Sequence, residues 1–282
     1  NLEGHFTELA DKLELEKTEL AEGILSVANT TMERAIKVIS VERGYDPREF
    51  TLFSFGGAGG LHAAYLAKGL NMPRVFIPRN PGILSAFGML MSDVIKDYSQ
   101  TVMLPQADVA QGTLEGHFFP LESRGQDDLL EEGIAPENIH LQRYLDMRYQ
   151  GQSYEILVPY ETNYRDGFHA LHEKTYGYCN ENNEVEIVNV RLRAVGKASK
   201  PELIESPFAG EHVSENAVID ERPVVFDGTA RPTRLIRRDK LNHGNQLQGP
   251  AILIEYSSTI MIPPFAQGRV DGYGNIILTI QD

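Results

Sequence analysis

The sequence is poor in cysteine and in basic residues. Its single cysteine, Cys179, cannot form an internal disulfide, so nothing in the cysteine content indicates secretion. We expect an ordinary free thiol there, because no basic side chain lies near it in the sequence. Acidic residues outnumber basic ones by 40 to 26, which gives a formal net charge of -14. Such a surface repels phosphate backbones and anionic lipids, which argues against general nucleic-acid or membrane binding but not against a local anion site.

Long apolar segments are lacking too. No run approaches the roughly 20 apolar residues that a membrane helix needs, and residues 1–7 lack the basic segment and apolar core of a signal peptide. We therefore expect a cytoplasmic protein. The 282 residues, of which 41% are hydrophobic, are enough for two modest domains or one large domain. Because the sequence does not begin with methionine, we expect it to be part of a longer protein.

The first hundred residues indicate an α/β unit. Residues 18–43 predict a long helix that ends at Gly44, and its apolar residues recur at steps of three and four. They form one stripe: Leu20, Ile24, Val27, Thr31, Ala35 and Val38. Residues 50–55 predict a short buried strand, and a glycine-rich turn, a helix over 61–69 and a strand over 74–77 follow. A strand, helix, strand unit of this kind joins parallel strands.

After residue 139 the pattern changes to alternating apolar and polar residues, which is typical of strands. We predict strands over 141–149, 154–158, 188–194, 224–226, 233–237, 251–255, 259–262 and 274–280. Helices are expected over 114–133 and 164–176. The fold class is therefore α/β followed by α+β. We place the domain boundary near residues 98–109, which divides the chain into 1–100 and 101–282.

The glycine-rich turn formed by Gly56, Gly57, Ala58, Gly59 and Gly60 is the clearest candidate site. Glycines let the backbone approach a ligand closely, and the helix that follows presents free amides and a positive dipole end, which suit a phosphate or a ribose. The spacing is neither GxGxxG nor that of a Walker A loop. Two interpretations stay open: a loop that contacts a nucleotide, or a tight structural turn before a closely packed helix.

Three histidines are weaker candidates. His62, in the first turn of that helix, could touch a nucleotide or act across a domain cleft, and a capping or partly buried histidine is the alternative. His169 and His172 share one helix face, but zinc needs at least a third protein ligand and none lies nearby in the sequence. We expect this pair to be solvated or hydrogen-bonded. The sequence identifies no metal site and no catalytic residue.

Charged residues form the remaining candidates. They could line a site, but ion-pair networks and helix-end charges are the more frequent reason for such residues. They are Asp146, Arg148, Arg191, Arg193, Asp93, Lys96 and Asp97.

Eight stretches, which together span almost the whole chain, match a known pattern. They are, in order, VERGYDPREF, FTLFSFGGAGGLHAAYLA, PRVFIPRNPGILSAFGMLMSDV, DMRYQGQSYEI, FHALHEKTYGY, VEIVNVRLRAVG, GPAILIEYSSTIMIPP and RVDGYGNIIL. This collinear set resembles the hydantoinase A/5-oxoprolinase family, which includes N-methylhydantoinase A-type subunits, 5-oxoprolinase and the β-type subunits of acetone and acetophenone carboxylases. The set is specific, whereas the glycine turn alone is not.

The resemblance implies the second half of an actin/hexokinase-like ATPase fold, followed by a β-rich C-terminal domain. In that fold two α/β halves enclose ATP and Mg2+, and the resemblance puts Gly56, Gly57, Ala58 and Gly59 near the nucleotide. The family usually has proline where Gly60 stands, and glycine adds one N–H donor. The family's first phosphate loop, of Asp-Gly-Gly-Thr type, does not occur in the sequence. The resemblance therefore implies that the groups that hold Mg2+ and the γ-phosphate lie elsewhere, and that this chain alone does not hydrolyse ATP efficiently.

The function that the resemblance implies is part of an ATP-dependent enzyme that opens a cyclic amide, such as a hydantoin or 5-oxoproline, after phosphoryl activation. A subunit of an ATP-dependent ketone carboxylase and a non-catalytic assembly module are alternatives that the residues do not separate. The expected partners are the first half of the ATPase domain, a hydantoinase B-type subunit or domain, and a small cyclic amide. Self-association into a homo-oligomer is left open.

Overall fold

The computed structural model describes residues 2–110 and 112–281, and it contains two compact units. The first unit combines residues 1–87 with residues 202–282, and the second comprises residues 88–201. These units differ from the division at residue 100, because the last strand of the chain lies in one sheet with the first two strands.

Six helices and thirteen strands are found in the described residues. The helices are α1 (Leu2–Leu13), α2 (Lys17–Ile39), α3 (Gly59–Gly69), α4 (Leu84–Leu90), α5 (Thr113–Glu131) and α6 (Tyr164–Tyr176). The strands are β1 (Thr51–Phe53), β2 (Arg74–Ile77), β3 (Val94–Pro105), β4 (Ile139–Tyr149), β5 (Ile156–Pro159), β6 (Val185–Gly196), β7 (Val218–Phe226), β8 (Thr229–Arg237), β9 (Gln246–Gln248), β10 (Ala251–Ile254), β11 (Thr259–Ile262), β12 (Ala266–Val270) and β13 (Ile276–Ile280). None of the described helices is long and apolar enough to cross a membrane.

The first unit is built on two sheets. One has the order β1-β2-β13-β12-β9, and the other has the order β11-β10-β8-β7. The small residues Ala63, Ala64 and Ala67 of α3 are buried in the same core as Ile260 and Ile262 of β11. Because alanine keeps the helix surface low, α3 can pack closely on this sheet, and the core runs through both sheets.

The parallel β1, α3, β2 unit predicted from the sequence is confirmed, since Thr51–Phe53 pairs with Arg74–Phe76 in parallel. The predicted burial of β1 is wrong. The strand lies at the edge of its sheet, where Thr51 and Phe53 are exposed and Leu52 is only partly buried. A single neighbouring strand covers too little of β1 to bury it.

The apolar stripe of α2 is mostly exposed. Leu20 is buried, but Ile24, Val27 and Val38 are 46%, 69% and 49% exposed. The partly buried Ile36 packs against the core of the unit from a different side of the helix. Helix α2 ends at Ile39, before the predicted end at residue 43, and a 3-10 turn follows it. Gly44 closes this turn with a φ of 83°, so the predicted role of Gly44 is confirmed.

The second unit is one antiparallel sheet with the order β3-β6-β4-β5, on which α5 and α6 pack. Its core combines Leu114 and Phe118 of α5 with Phe168 of α6 and apolar residues of β4 and β6. The helix over 164–176 is confirmed with its predicted bounds, and the helix over 114–133 is confirmed within two residues. Strand β3 is not among the predicted strands.

Candidate functional site

The glycine turn leaves the edge strand β1 and enters α3. The N–H of the buried Ser54 donates to the carbonyl of Phe76 at 2.9 Å, which keeps the chain beside β2 to the end of the strand. Gly56 then adopts a φ of 89°, a left-handed conformation that glycine adopts without strain. Its N–H donates to the carbonyl of Pro81 at 2.8 Å. The helix starts three residues later, at Gly59.

The turn presents free amides at the surface. Gly57 and Ala58 are exposed, and Gly59 is partly buried. Within residues 2–110 and 112–281, the N–H groups of these three residues donate to no protein acceptor, and Ala58 makes no side-chain cap. Free amides at the start of an 11-residue helix, together with its positive dipole end, form a favourable place for an anionic group.

The glycines also serve close packing. A Cβ on Gly60 would lie 2.8 Å from both the carbonyl oxygen of Thr259 and Cγ1 of Ile260. A Cβ on Gly57 would lie 3.1 Å from the carbonyl oxygen of Ser257. The structural interpretation of the turn therefore holds for its inner side, while its outer side leaves the backbone amides accessible.

The side chain of His62 lies beside the glycine turn, in a neighbouring groove of about 390 Å³. Its Nδ1 is hydrogen-bonded to Oδ1 of Asn29 on α2 at 2.8 Å. The groove is lined by Glu22, Leu25, Ser26, Asn29, Thr30, Glu33, Leu61, His62, Tyr65, Val225, Phe226, Asp227 and Met261. Burial, and the nearby carboxylates of Asp227 and Glu22, raise the pKa of Tyr65 to about 12. The groove thus has acidic character, and the hydrogen bond of His62 links α3 to α2.

His169 and His172 are both buried on α6, and both are hydrogen-bonded as expected. Nδ1 of His169 lies 2.7 Å from the hydroxyl oxygen of Tyr149, and Nδ1 of His172 lies 2.7 Å from the carbonyl oxygen of Tyr178. Burial lowers the pKa of His169, which favours the neutral form of the ring. Over the described residues, no group of three or more His, Cys, Asp or Glu side chains could hold a metal ion.

The charged candidates form ion pairs inside the second unit. The carboxylate of the buried Asp146 accepts from Nε of Arg191 at 2.6 Å and from Nδ2 of Asn189 at 2.7 Å. The other pairs are Asp97–Arg193, Arg148–Glu186, Lys96–Glu132 and Asp93–Lys200. Paired charges of this kind fix strands, and they do not converge on a site.

Sequence reasoning missed the turn that connects β10 to β11, residues 255–258, which packs against the glycine turn. The N–H of Thr259 donates to the carbonyl of Gly57 at 3.3 Å, and Ser257 occupies the space that a Cβ on Gly82 would need. Behind this turn lies Arg238, a buried arginine that is paired with Glu255. The sequence offered one signal for this turn, because Glu255 lies in GPAILIEYSSTIMIPP, one of the stretches that resemble the family.

The sequence matches two models of one protein family. The model described as hydantoinase/oxoprolinase matches residues 1–98, and the model of the hydantoinase/oxoprolinase C-terminal domain matches residues 105–279. The chain belongs to the hydantoinase/oxoprolinase family. The two family models meet near residue 100, whereas the compact units of the structure do not, since residues 202–282 fold with residues 1–87.

Members of the hydantoinase/oxoprolinase family with similar sequences come from distant organisms. An uncharacterized protein of Methanocaldococcus jannaschii is 36% identical over 95% of this chain and 39% of its own length. The 5-oxoprolinase of Saccharomyces cerevisiae is 32% identical over 94% of this chain and 22% of its own length. Caprolactamase subunit alpha of Pseudomonas jessenii is 30% identical over 92% of this chain and 39% of its own length. The chain thus spans between about a fifth and two fifths of the length of these relatives.

Two solved structures share the mixed α/β fold with several sheets. A nucleotide-free structure of acetone carboxylase, an ATP-dependent enzyme, superposes with a TM-score of 0.88 at 22% identity and covers 96% of this chain and 41% of the other. The ATP-dependent caprolactamase of Pseudomonas jessenii superposes with a TM-score of 0.59 at 28% identity and covers 98% of this chain and 42% of the other. At 22% identity, the first likeness speaks for the fold alone.

Proposed function

We propose that this chain is part of an ATP-dependent amidohydrolase that opens a cyclic amide after phosphoryl activation, and that the glycine turn contacts the nucleotide. The observation that carries the proposal is the row of free amides at Gly57, Ala58 and Gly59 at the start of α3. Family membership supports it, because relatives of this chain are named 5-oxoprolinase and caprolactamase. In this proposal the chain forms the second half of an actin-like ATPase fold and works in the cytoplasm with ATP and Mg2+.

Phosphoryl activation gives such an enzyme its driving force. An amide carbonyl is a poor electrophile, and transfer of the γ-phosphoryl group to its oxygen makes the carbon open to attack by water. The ring C–N bond then breaks to leave an amine and an acyl phosphate, and a second water hydrolyses the acyl phosphate to a carboxylate and phosphate. Catalysis of the transfer depends mainly on positioning and charge stabilisation. The amides of Gly57 to Gly59 would hold and orient the nucleotide, while the groups that hold Mg2+ and the γ-phosphate are assigned to the other half.

The exposed apolar surface of the first unit supports a partner polypeptide. Ile24, Val27 and Val38 of α2 are exposed, and so is Phe53 of the edge strand β1. An edge strand offers unpaired backbone groups to a further strand, and exposed apolar stripes mark association surfaces. We propose that the polypeptide that supplies the first half of the ATPase domain docks here, and that a B-type subunit completes the enzyme.

Substitution at Ala58 tests the proposal without disturbing the fold. Ala58 is exposed and occupies the N-cap of α3, where both aspartate and asparagine are favourable. Ala58→Asp places a negative charge beside the amides, and Ala58→Asn is its neutral, nearly isosteric control. In the assembly of this chain with the first half, we expect the aspartate variant to bind ATP at least about tenfold more weakly than the asparagine variant, measured by calorimetry. Equal affinities would refute a nucleotide at this turn.

A ketone carboxylase subunit is the second candidate, because the family that the sequence stretches resemble also includes the β-type subunits of acetone and acetophenone carboxylases. A substrate screen separates the two candidates. ATP-dependent ring opening of hydantoin, 5-oxoproline or a lactam supports the hydrolase, and ATP-dependent consumption of bicarbonate with a ketone supports the carboxylase. If this chain is instead an assembly module without catalysis, neither reaction depends on it, and ATP turnover is unchanged when it is left out.

A further inference from the structure

Arg238 is a buried charged residue to which the proposed function assigns no role. It follows β8 in a 3-10 turn and is 6% exposed. Its Nη1 donates to Oε1 of Glu255 at 3.0 Å, and its Nη2 donates to the carbonyl of Pro78 at 2.6 Å. Burial lowers the pKa of Arg238, and the Glu255 carboxylate opposes this shift. A buried pair of this kind depends on its geometry, because removal of one partner leaves an uncompensated charge.

The first contact of Arg238 leads to the turn over residues 255–258. The side chain of Glu255 accepts from Arg238 and also from the hydroxyl of Ser258, so it closes the turn from inside. The backbone N–H of Glu255 donates to the carbonyl of Ser258 at 3.2 Å. This turn carries Ser257, whose carbonyl oxygen lies against Gly57. The position of the turn therefore limits where the glycine turn can lie.

The second contact leads to the segment after β2. Pro78, whose carbonyl accepts from Arg238, is followed within three residues by Pro81, and the carbonyl of Pro81 accepts from the N–H of Gly56. Gly82 packs directly against Ser257. The glycine turn is thus held between two segments, and the guanidinium of Arg238 is bonded to both.

We propose that Arg238, Glu255 and Ser258 are positioning residues for the nucleotide: they hold the two segments that support the glycine turn and so direct its free amides. The proposal rests on the proposed function, since it presumes a nucleotide at these amides. None of the three side chains needs to touch the ligand. Their effect passes through two backbone hydrogen bonds, from Gly56 to Pro81 and from Thr259 to Gly57.

Ser258→Ala is the mildest test, because it removes one hydroxyl and leaves the buried ion pair in place. Amide hydrogen exchange of this chain should show faster exchange at Gly56 and Thr259, by about tenfold, since a hydrogen bond to a charged group is lost. In the assembly with the first half, the Kd for ATP should rise by a similar factor of about ten. Ser258→Thr, which keeps the hydroxyl, should restore both values towards those of the unchanged protein.

Asn245→Ala is the matched control for a loss of stability alone. Asn245 is buried in the same unit and donates to the carbonyls of Gly210 and His212, away from the glycine turn. This variant should lower the melting temperature but leave both the exchange at Gly56 and the Kd for ATP unchanged. If affinity falls equally in both variants at equal loss of stability, the positioning role is refuted.

The outcomes separate the two proposals. If the unchanged assembly does not bind ATP, the proposed function fails and the positioning role fails with it. If it binds ATP, and Ser258→Ala leaves both affinity and exchange unchanged, only the positioning role fails. Should Ser258→Ala not fold, Ser258→Cys provides the same measurements, because a thiol is a weaker hydrogen-bond donor to Glu255 and leaves the buried ion pair in place.

Discussion

The two units differ in what they leave to solvent. In the second unit, α5 and α6 cover one face of the sheet, and the large side chains of Phe118 and Phe168 are fully buried. In the first unit, α2 exposes most of its apolar stripe, and β1 lies at a sheet edge. The second unit thus buries its large aromatic side chains in its own core, whereas the first unit exposes an apolar stripe that we propose a partner polypeptide covers. Substitutions on the two kinds of surface should separate these roles.

Phe168→Ala should have the largest effect on stability. Phe168 is 0% exposed and packs edge-on against Tyr149 at a ring distance of 5.0 Å. Removal of a buried ring leaves a cavity, so we expect a loss of about 3–5 kcal/mol in the free energy of unfolding, measured by urea denaturation. Val27→Ala, on the exposed stripe of α2, should change it by no more than about 0.5 kcal/mol. A comparable loss in both variants would mean that the stripe is covered within this chain.

Gly60→Ala should have an intermediate effect. The added Cβ would meet the carbonyl of Thr259, a backbone atom that cannot rotate away, and we expect a loss of about 1–3 kcal/mol. Gly23→Ala in α2 is the control, because nothing lies within 4 Å of that Cβ and alanine favours the helix by about 0.5–1 kcal/mol. Urea denaturation of both variants decides whether the glycine turn is fixed by packing. A neutral Gly60→Ala would show that the turn is free to shift away from β11.

Local patterns predicted much of the fold. Helix α6 was predicted with its true bounds, and the structure shows a local signal at its end, since Gly177 closes it with a φ of 80°. The glycine turn was found for the same reason. Burial of α2 and β1 could not be predicted in this way, since an apolar stripe indicates that a helix has a partner but not where that partner lies.

Long-range pairing explains what the sequence did not reveal. Val94 at the start of β3 pairs with Gly196 of β6, about a hundred residues away. The alternation of β3 is weak, because Lys96 lies on its partly buried face while Ile95 and Met103 lie on its exposed face. Strand β9 is too short to show a period, with Leu247 as its one buried residue. Arg238 could not be singled out either, because it stands among other basic residues and its partners come from distant segments.

The smallest effect should be a dependence of stability on pH that arises in the second unit. Burial lowers the pKa of His169, and the charge of Arg165 contributes further. In the unfolded chain this ring titrates near 6.5, so below that pH the unfolded state binds a proton that the folded state does not. Stability should therefore fall as the pH drops from about 6.5 towards the lowered folded pKa. The folded ring stays neutral there, in contact with the hydroxyl of Tyr149 at 2.7 Å.

His169→Gln isolates this contribution, because glutamine can still be hydrogen-bonded to Tyr149 but does not titrate. Urea denaturation between pH 7 and pH 5 should show a shallower loss of stability in the variant than in the unchanged protein, even if the variant is less stable throughout. NMR titration of the His169 ring in the folded chain should give a pKa below that of a free histidine. Parallel pH profiles for the two proteins would contradict the prediction and would mean that the stability of the second unit responds to pH through other groups.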